Sequence, residues 1–223
     1  MTFLLLAAAL AATEPAAPAS APADAEAQLT ALAEAQAFEE NATAREILDA
    51  CRRMVPAEVE IVGHVNRRSR HGTQVAAYRY VLTRREGKTD LAFADKDGNS
   101  IPFERNGRLL DTDITWSDLT MDFLWWDDVE LDESAAAESL AGIVCKVLLL
   151  KKGDRAFRAW IDRRTGAMLQ ANELRMKDGS WRTVREVFCT SLKKFGERWA
   201  PRNIEVGPPG AKYRTKIIVE DVR

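Results

Sequence analysis

Residues able to do chemistry are few in this chain, and none stand in a catalytic arrangement. The only two histidines, His64 and His71, flank one turn. Ser134, Ser139 and Ser191 have no neighbouring histidine and no strand-to-helix glycine elbow, so no activated hydroxyl is indicated. Asp127-Asp128 and Asp111-x-Asp113 are acid pairs in loop-like sequence, where a hydrated surface is the natural home. Asp95-x-Asp97-Gly98-Asn99 has the look of a calcium loop but lacks the roughly 12-residue spacing and the closing glutamate. Glycine-rich phosphate loops and metal-ligand spacings are missing. Cys51, Cys145 and Cys189 form no C-x-x-C pair, so neither zinc nor thioredoxin-like chemistry is supported. They are expected to be buried as small hydrophobes outside any disulfide. The sequence therefore predicts no enzyme, no metal and no cofactor.

What remains is apolar. In ITWSDLTMDFLWWDD, Ile114 to Asp128, five large residues gather: Trp116, Phe123, Leu124, Trp125 and Trp126. Adjacent tryptophans on a strand point to opposite faces, whereas on a helix they stand about 100° apart and can share a broad face. Tryptophan is seldom fully buried and its N–H wants a partner, which suits a rim or an interface. Three uses fit: packing between a covering segment and a sheet, lining the mouth of an apolar site, or docking a partner.

The chain around this segment has 223 residues, enough for one domain with a real core. Its 32 basic side chains against 34 acidic ones give a net charge of −2, which provides no nucleic-acid footprint and no basic tail for anionic lipid. The start, MTFLLLAAALAA, holds an apolar run of about 10 residues, half of the ~20 that a membrane span needs. That length matches the core of a secretory signal, and Ala9-Leu10-Ala11 supplies a small-residue cleavage pattern, although the usual positive residues are missing before it. Residues 1–12 are read as the signal-peptide core, and 13–40 as an Ala/Pro-rich tether with a possible leading helix. The mature chain is then expected in the periplasm, without a membrane-spanning helix and without a lipid-modified cysteine near the cleavage site.

Residues 41–223 read as one domain. Thr43 and Glu46 have capping-box spacing, and Ile47, Leu48, Cys51 and Met54 recur at helical spacing before Pro56 ends the pattern. From Glu58 the texture changes to strand-like runs: EVEIVGHVNRR, QVAAYRYVLTRR, KTDLAFADK, GIVCKVLLLKK, RAFRAWIDR, AMLQANELRM, WRTVREVFCTSLKK, RWAPRNIEV and YRTKIIVEDV. Turn pairs such as Asp97-Gly98, Lys152-Gly153 and Asp178-Gly179 separate them, which describes an antiparallel meander. Tyr78, Tyr80 and Leu82 share one face, Phe157 and Ile161 another, and Tyr213, Ile217 and Val219 a third. The opposite faces are mainly charged, so the sheet is expected to have one wet side. The inward Tyr78, Tyr80, Phe157 and Ile161 are candidates either for a filled core or for the lining of an apolar cavity. The stripe Ile47, Leu48, Cys51 and Met54 is a candidate lid.

Several of these runs carry a resemblance. AGIVCKVLLLKK, Trp160-Ile161-Asp162 with Thr165-Gly166, Trp199-Ala200-Pro201 and the closing Arg214-Thr215 with Asp221-Val222-Arg223 resemble the outer membrane lipoprotein-sorting family, whose fold is LolA-like. Thr115-Trp116-Ser117-Asp118-Leu119 is similar to the family's aromatic-x-Asp-Leu signature. The resemblance implies a mainly β fold: a strongly curved antiparallel sheet, an unclosed β-barrel, covered or plugged by one or two helices. It implies a hydrophobic cavity for acyl chains, and a periplasmic monomer that binds or carries lipidated protein or free lipid. An envelope membrane complex is a further expected partner, and nucleic acid is not. The alternative is a cell-envelope interaction domain that keeps the fold with a filled core.

Overall fold

The computed structural model describes residues 38–68, 71, 74–86, 88–135, 139–140, 142–196 and 198–223. The expected signal segment 1–12 and the expected tether up to residue 37 lie outside the described residues. The strand-like runs are strands, in the order β1 (Val59–Arg68), β2 (Gln74–Arg85), β3 (Lys88–Ala94), β4 (Ser100–Ile101), β5 (Asp128–Leu131), β6 (Ser139–Leu140), β7 (Ile143–Lys152), β8 (Arg155–Asp162), β9 (Met168–Lys177), β10 (Ser180–Phe195), β11 (Arg198–Gly207) and β12 (Thr215–Val222). Among the described residues two α-helices accompany them, α1 (Ala44–Arg53) and α2 (Trp116–Thr120), with 3-10 turns at Asp122–Trp125 and Glu133–Ala135. The turn chemistry acts as its composition dictates. Asp178 and Gly179, between β9 and β10, both have positive φ (50° and 73°), as a two-residue hairpin matched to strand twist requires.

All pairings are antiparallel, and the strands run β4-β3-β2-β1-β12-β11-β10-β9-β8-β7-β5, with β6 beside β7. Two meanders, β1–β4 and β7–β12, are thus joined where the last strand pairs with the first, Val65 opposite Ile217. This order has a consequence for the chain between β4 and β5. Those strands lie at opposite ends of the path, so residues 102–127 must travel from one end of the sheet to the other.

The expected strongly curved, barrel-like sheet is not what forms: the sheet is open and not strongly curved, and β4 and β5 do not pair. Its apolar face is closed off by chain laid over it instead. Ile47 and Leu48 of α1, Leu109 and Ile114 of the crossing, and Phe123 and Leu124 of the 3-10 turn enter one core with Tyr80, Leu82, Leu148, Phe157, Ile161, Val187, Val206 and Ile217 of the sheet.

Two further expectations are corrected. Tyr213 does not face inward; it precedes β12 and is exposed. The second face is not wet throughout either. Trp160 is buried on it with Cys145 and Val147, and Leu149, Ala156 and Leu174 form another small cluster there. Leu140, Leu169 and Trp181 pack over these clusters, which is why β7, β8 and β9 are apolar on both sides. No disulfide joins the three cysteines. Cys145 and Cys189 sit on β7 and β10 with two strands between them, about 14 Å at normal strand spacing and well beyond the ~7 Å limit for a bridge.

At Gly63 the β1 junction is closely packed. It lies at the register shift between β1 and β12, and a Cβ there would fall on the Ile218 carbonyl oxygen and the Tyr80 ring. Backbone cannot yield as a flexible side chain can, so Gly63→Ala is expected to lower the unfolding free energy by about 1–3 kcal/mol in urea titrations. A change within ~0.5 kcal/mol, the scale of neutral surface substitutions, would show that this junction is looser than described.

Candidate functional site

The candidate residues converge on the apolar face of the sheet and on the chain that covers it. α1 forms where expected. Thr43 Oγ1 accepts from the Glu46 N–H at 3.3 Å while a Glu46 carboxylate oxygen accepts from the Thr43 N–H at 2.8 Å, completing the capping box. The stripe points into the core: Ile47, Leu48 and Cys51 are buried, whereas Met54, at the end, is only half-buried. Burial pushes the Cys51 thiol up to about 12, with the neighbouring Cys189 adding to the effect, and burial does the same to Cys189. Neither is a reactive thiolate.

The crossing segment resolves the paired tryptophans. Thr115 opens α2, with its N–H donating to Asp118 Oδ2 at 2.6 Å, and Met121 ends it in the left-handed region at φ 52°. The following 3-10 turn sends Trp125 outward, 46% exposed, and Trp126 inward, 7% exposed. Phe123 stacks on Phe157 of β8 with ring centroids 4.1 Å apart and planes within 10°, and Trp126 meets Phe157 edge-on at 5.7 Å. Such contacts add about 0.5–1.5 kcal/mol each to the burial itself. Leu124 and Ile161 are fully buried beside them. On the other half of the sheet, Tyr80, Phe93, Phe103 and Trp116 form a chain of ring contacts from β2 through β3 to α2. Tyr78 and Tyr80 face inward, with burial raising both hydroxyl pKa values. All nine candidate lining residues except Trp125 and the half-buried Trp116 are therefore packed in a closed core.

Sequence reasoning missed the arginines that hold the cover. Short helices leave carbonyls without partners, and above an apolar sheet face no water can supply them. Arg84 of β2, itself buried, donates to the Thr120 carbonyl at 2.8 Å and stands 5.2 Å from the Trp125 ring. Arg52 of α1 donates through Nε to the Leu124 carbonyl at 2.7 Å. Arg45 donates to the Asp127 carbonyl at 2.9 Å. The signal was present in the alternation of β2: Arg84 continues the inward series Tyr78, Tyr80, Leu82, where an unpartnered guanidinium could not stay.

An ionic knot ties the same cover to β9 and β10. Arg185 Nη2 lies 3.0 Å from Asp118 Oδ1 and 2.8 Å from Glu173 Oε2, and Glu173 Oε1 also meets Arg155 at 3.1 Å and Arg175 at 3.0 Å. The Asp118, Glu173 and Arg185 side chains are all at least nine-tenths buried. Burial raises the Asp118 carboxyl from 3.8 to about 6, against the pull of Arg185 and of the Thr115 N–H and hydroxyl, with Glu173 raising it further. Elsewhere Asp95 uses its oxygens on the Asp97 and Asn99 N–H groups of its own turn, so the calcium-like run closes the β3–β4 hairpin.

The chain matches no protein-family profile and no curated protein sequence. Solved structures are similar in fold. A LolA superfamily protein from Nitrosomonas europaea is 13% identical over 82% of this chain and 93% of its own, with a TM-score of 0.61. A domain named for outer membrane lipoprotein sorting, from Vibrio parahaemolyticus, is 10% identical over 80% and 90%, with a TM-score of 0.60. A DUF1329 family protein from Desulfovibrio piger is 16% identical over 81% and 92%, with a TM-score of 0.53. The fold is thus of the LolA-like and DUF1329-like class.

The raised Asp118 pKa has a sign that can be measured. Between about pH 4 and 6 the native protein keeps a proton on Asp118 that the unfolded chain has released. This group's contribution to stability is therefore greatest below that window and falls as pH rises through it, by at most about 1.4 kcal/mol per pH unit. Urea-unfolding free energies should show wild type losing stability relative to D118N from about pH 4 to 6, then a level difference. A difference that grows with pH would mean that the Arg185 pair outweighs burial.

Proposed function

We propose that this is a non-catalytic, periplasmic binding protein that takes lipidated cargo, lipoprotein acyl chains or free lipid, onto the apolar face beneath the 102–127 crossing. Residues 1–12 direct export, residues 41–223 act as one unit, and the protein works as a monomer. The observation that carries this reading is the nature of the cover. The apolar face is closed by α1 and by short helical turns, held by arginine-to-carbonyl bonds and not by paired strands. Likeness of fold to a domain named for outer membrane lipoprotein sorting supports it.

With the core filled, an acyl chain enters only where the cover yields. Lifting Phe123 from Phe157 would expose the inward residues of β8 and β2, so that Tyr78, Tyr80, Phe157 and Ile161 become lining and Trp116, Leu124, Trp125 and Trp126 the rim. Each chain CH₂ then taken from water contributes about 0.8 kcal/mol, so a modest chain offsets the lost ring contacts. Ile47, Leu48, Cys51 and Met54 of α1 serve as the lid. A second reading, an envelope interaction domain with a permanently filled core, draws on the same closed core and on Trp125, whose 46% exposure offers a ring to a partner.

Leu48→Ala separates the two. Leu48 is fully buried, so its truncation is expected to reduce stability by about 2–5 kcal/mol. On the carrier reading, wild type binds a fluorescent fatty acid in titration, and L48A exchanges it at least several-fold faster under conditions where both remain folded. A wild type that binds no fatty acid, or an L48A variant with unchanged uptake and release, favours the filled-core reading.

A further inference from the structure

A cavity of about 490 Å³ opens on the far side of the ionic knot, between the 105–108 loop, the start of α2 and β8–β10. Arg105, Arg108, Arg155, Arg175 and Arg185 line it, and Glu173 is the one carboxylate among the described residues that line it. Three more carboxylates reach these arginines from outside the lining: Asp118 at Arg185, Asp113 at 3.9 Å from Arg108, and Asp154 at 3.8 Å from Arg175. They leave donors unused. Arg185 is 5% exposed, yet its Nε has no acceptor among the described residues. Arg105 has no carboxylate partner among the described residues and rests 5.0 Å over the Trp116 ring. Arg155 stands 5.8 Å from the Trp126 and Phe157 rings, so the cavity borders the aromatic half of the core.

Guanidinium groups gathered round a hollow repel one another, and a buried Nε–H without an acceptor is costly. An oxyanion relieves both, because the planar fork of arginine matches phosphate oxygens in pairs. The volume also falls within the ~300–1,000 Å³ common for small-molecule sites, which leaves room for more than a bare ion. We propose that this cavity is a binding site for a phosphate group, with Arg105, Arg155 and Arg185 as its principal donors and Arg108 at its entrance. The site stands on guanidinium chemistry and does not depend on acyl chains entering the core.

Calorimetric titrations at low ionic strength test it with three probes: inorganic phosphate, dihexanoylphosphatidylglycerol below its micelle concentration, and neutral dihexanoylglycerol. Wild type is expected to bind at least one phosphate-bearing probe more tightly than the neutral lipid. Tighter binding of the phosphatidylglycerol identifies a lipid headgroup as the source; equal or tighter binding of inorganic phosphate identifies a free phosphate. R105Q/R108Q, at two exposed positions that leave the ionic knot intact, should weaken that binding by about tenfold or more. R79Q, an exposed arginine of β2 outside the cavity, should leave it unchanged. The proposal is overturned if neither phosphate probe binds, if the neutral lipid binds equally well, or if R105Q/R108Q binds like wild type.

Discussion

Everything in this fold turns on how the backbone of the covering chain is satisfied above an apolar surface. The sheet's ends do not pair, so the face between them needs other material to hide it. Among the described residues, the material available is a ten-residue helix and a crossing segment whose helical pieces are one five-residue helix and one 3-10 turn. Such short pieces cannot satisfy their own terminal carbonyls. Arg84, Arg52 and Arg45 bring charged donors to Thr120, Leu124 and Asp127, the shielded bonds of Arg84 and Arg52 contributing about 1.5–3 kcal/mol each. Arg185 does the equivalent for the Asp118 carboxylate. Apolar packing chooses where the cover lies, and the arginines fix its position.

That division of labour makes the cover a distinct layer. Within the sheet, each interior strand is bonded along both edges, and β10 alone pairs with β9 and β11 over most of its length. The cover meets the sheet through side chains: Phe123 against Phe157, Leu48 and Ile47 into the core, and a handful of polar ties. Local opening follows the weakest such boundary, so the cover is the part able to move while the sheet stays intact. The same geometry places a polar, arginine-lined hollow beside the ionic knot and an apolar core beside Phe157, with Arg155 touching both.

Much of this was legible in the sequence because strand alternation and turn residues are local. β2 and β12 have the expected buried sets Tyr78, Tyr80, Leu82 and Ile217, Val219, and α1 has its predicted cap and stripe. The rest depended on distant pairings. Nothing in the sequence states that β12 returns beside β1, and without that return the crossing of residues 102–127 cannot be foreseen. The burial of Trp160 and Cys145 on the second face follows from Leu140, Leu169 and Trp181 packing above them, again a tertiary matter. Sheet shape misled for a related reason: an alternating apolar face says that something must cover it, and is silent on whether the sheet curls round or another segment lies across. The partners of Arg84, Arg52 and Arg185 could not be foreseen because they lie 36, 72 and 67 residues away along the chain.

The central claim, that the cover is a separately opening layer on a stable sheet, is tested most directly by native-state hydrogen exchange followed by mass spectrometry. Peptides spanning 44–54 and 109–126 should exchange through openings that need only a fraction of the global unfolding free energy, while the amides of β7–β10 exchange only at the global value. Exchange of the cover and of β7–β10 at one common free energy would contradict the account, because the cover would then unfold only with the sheet.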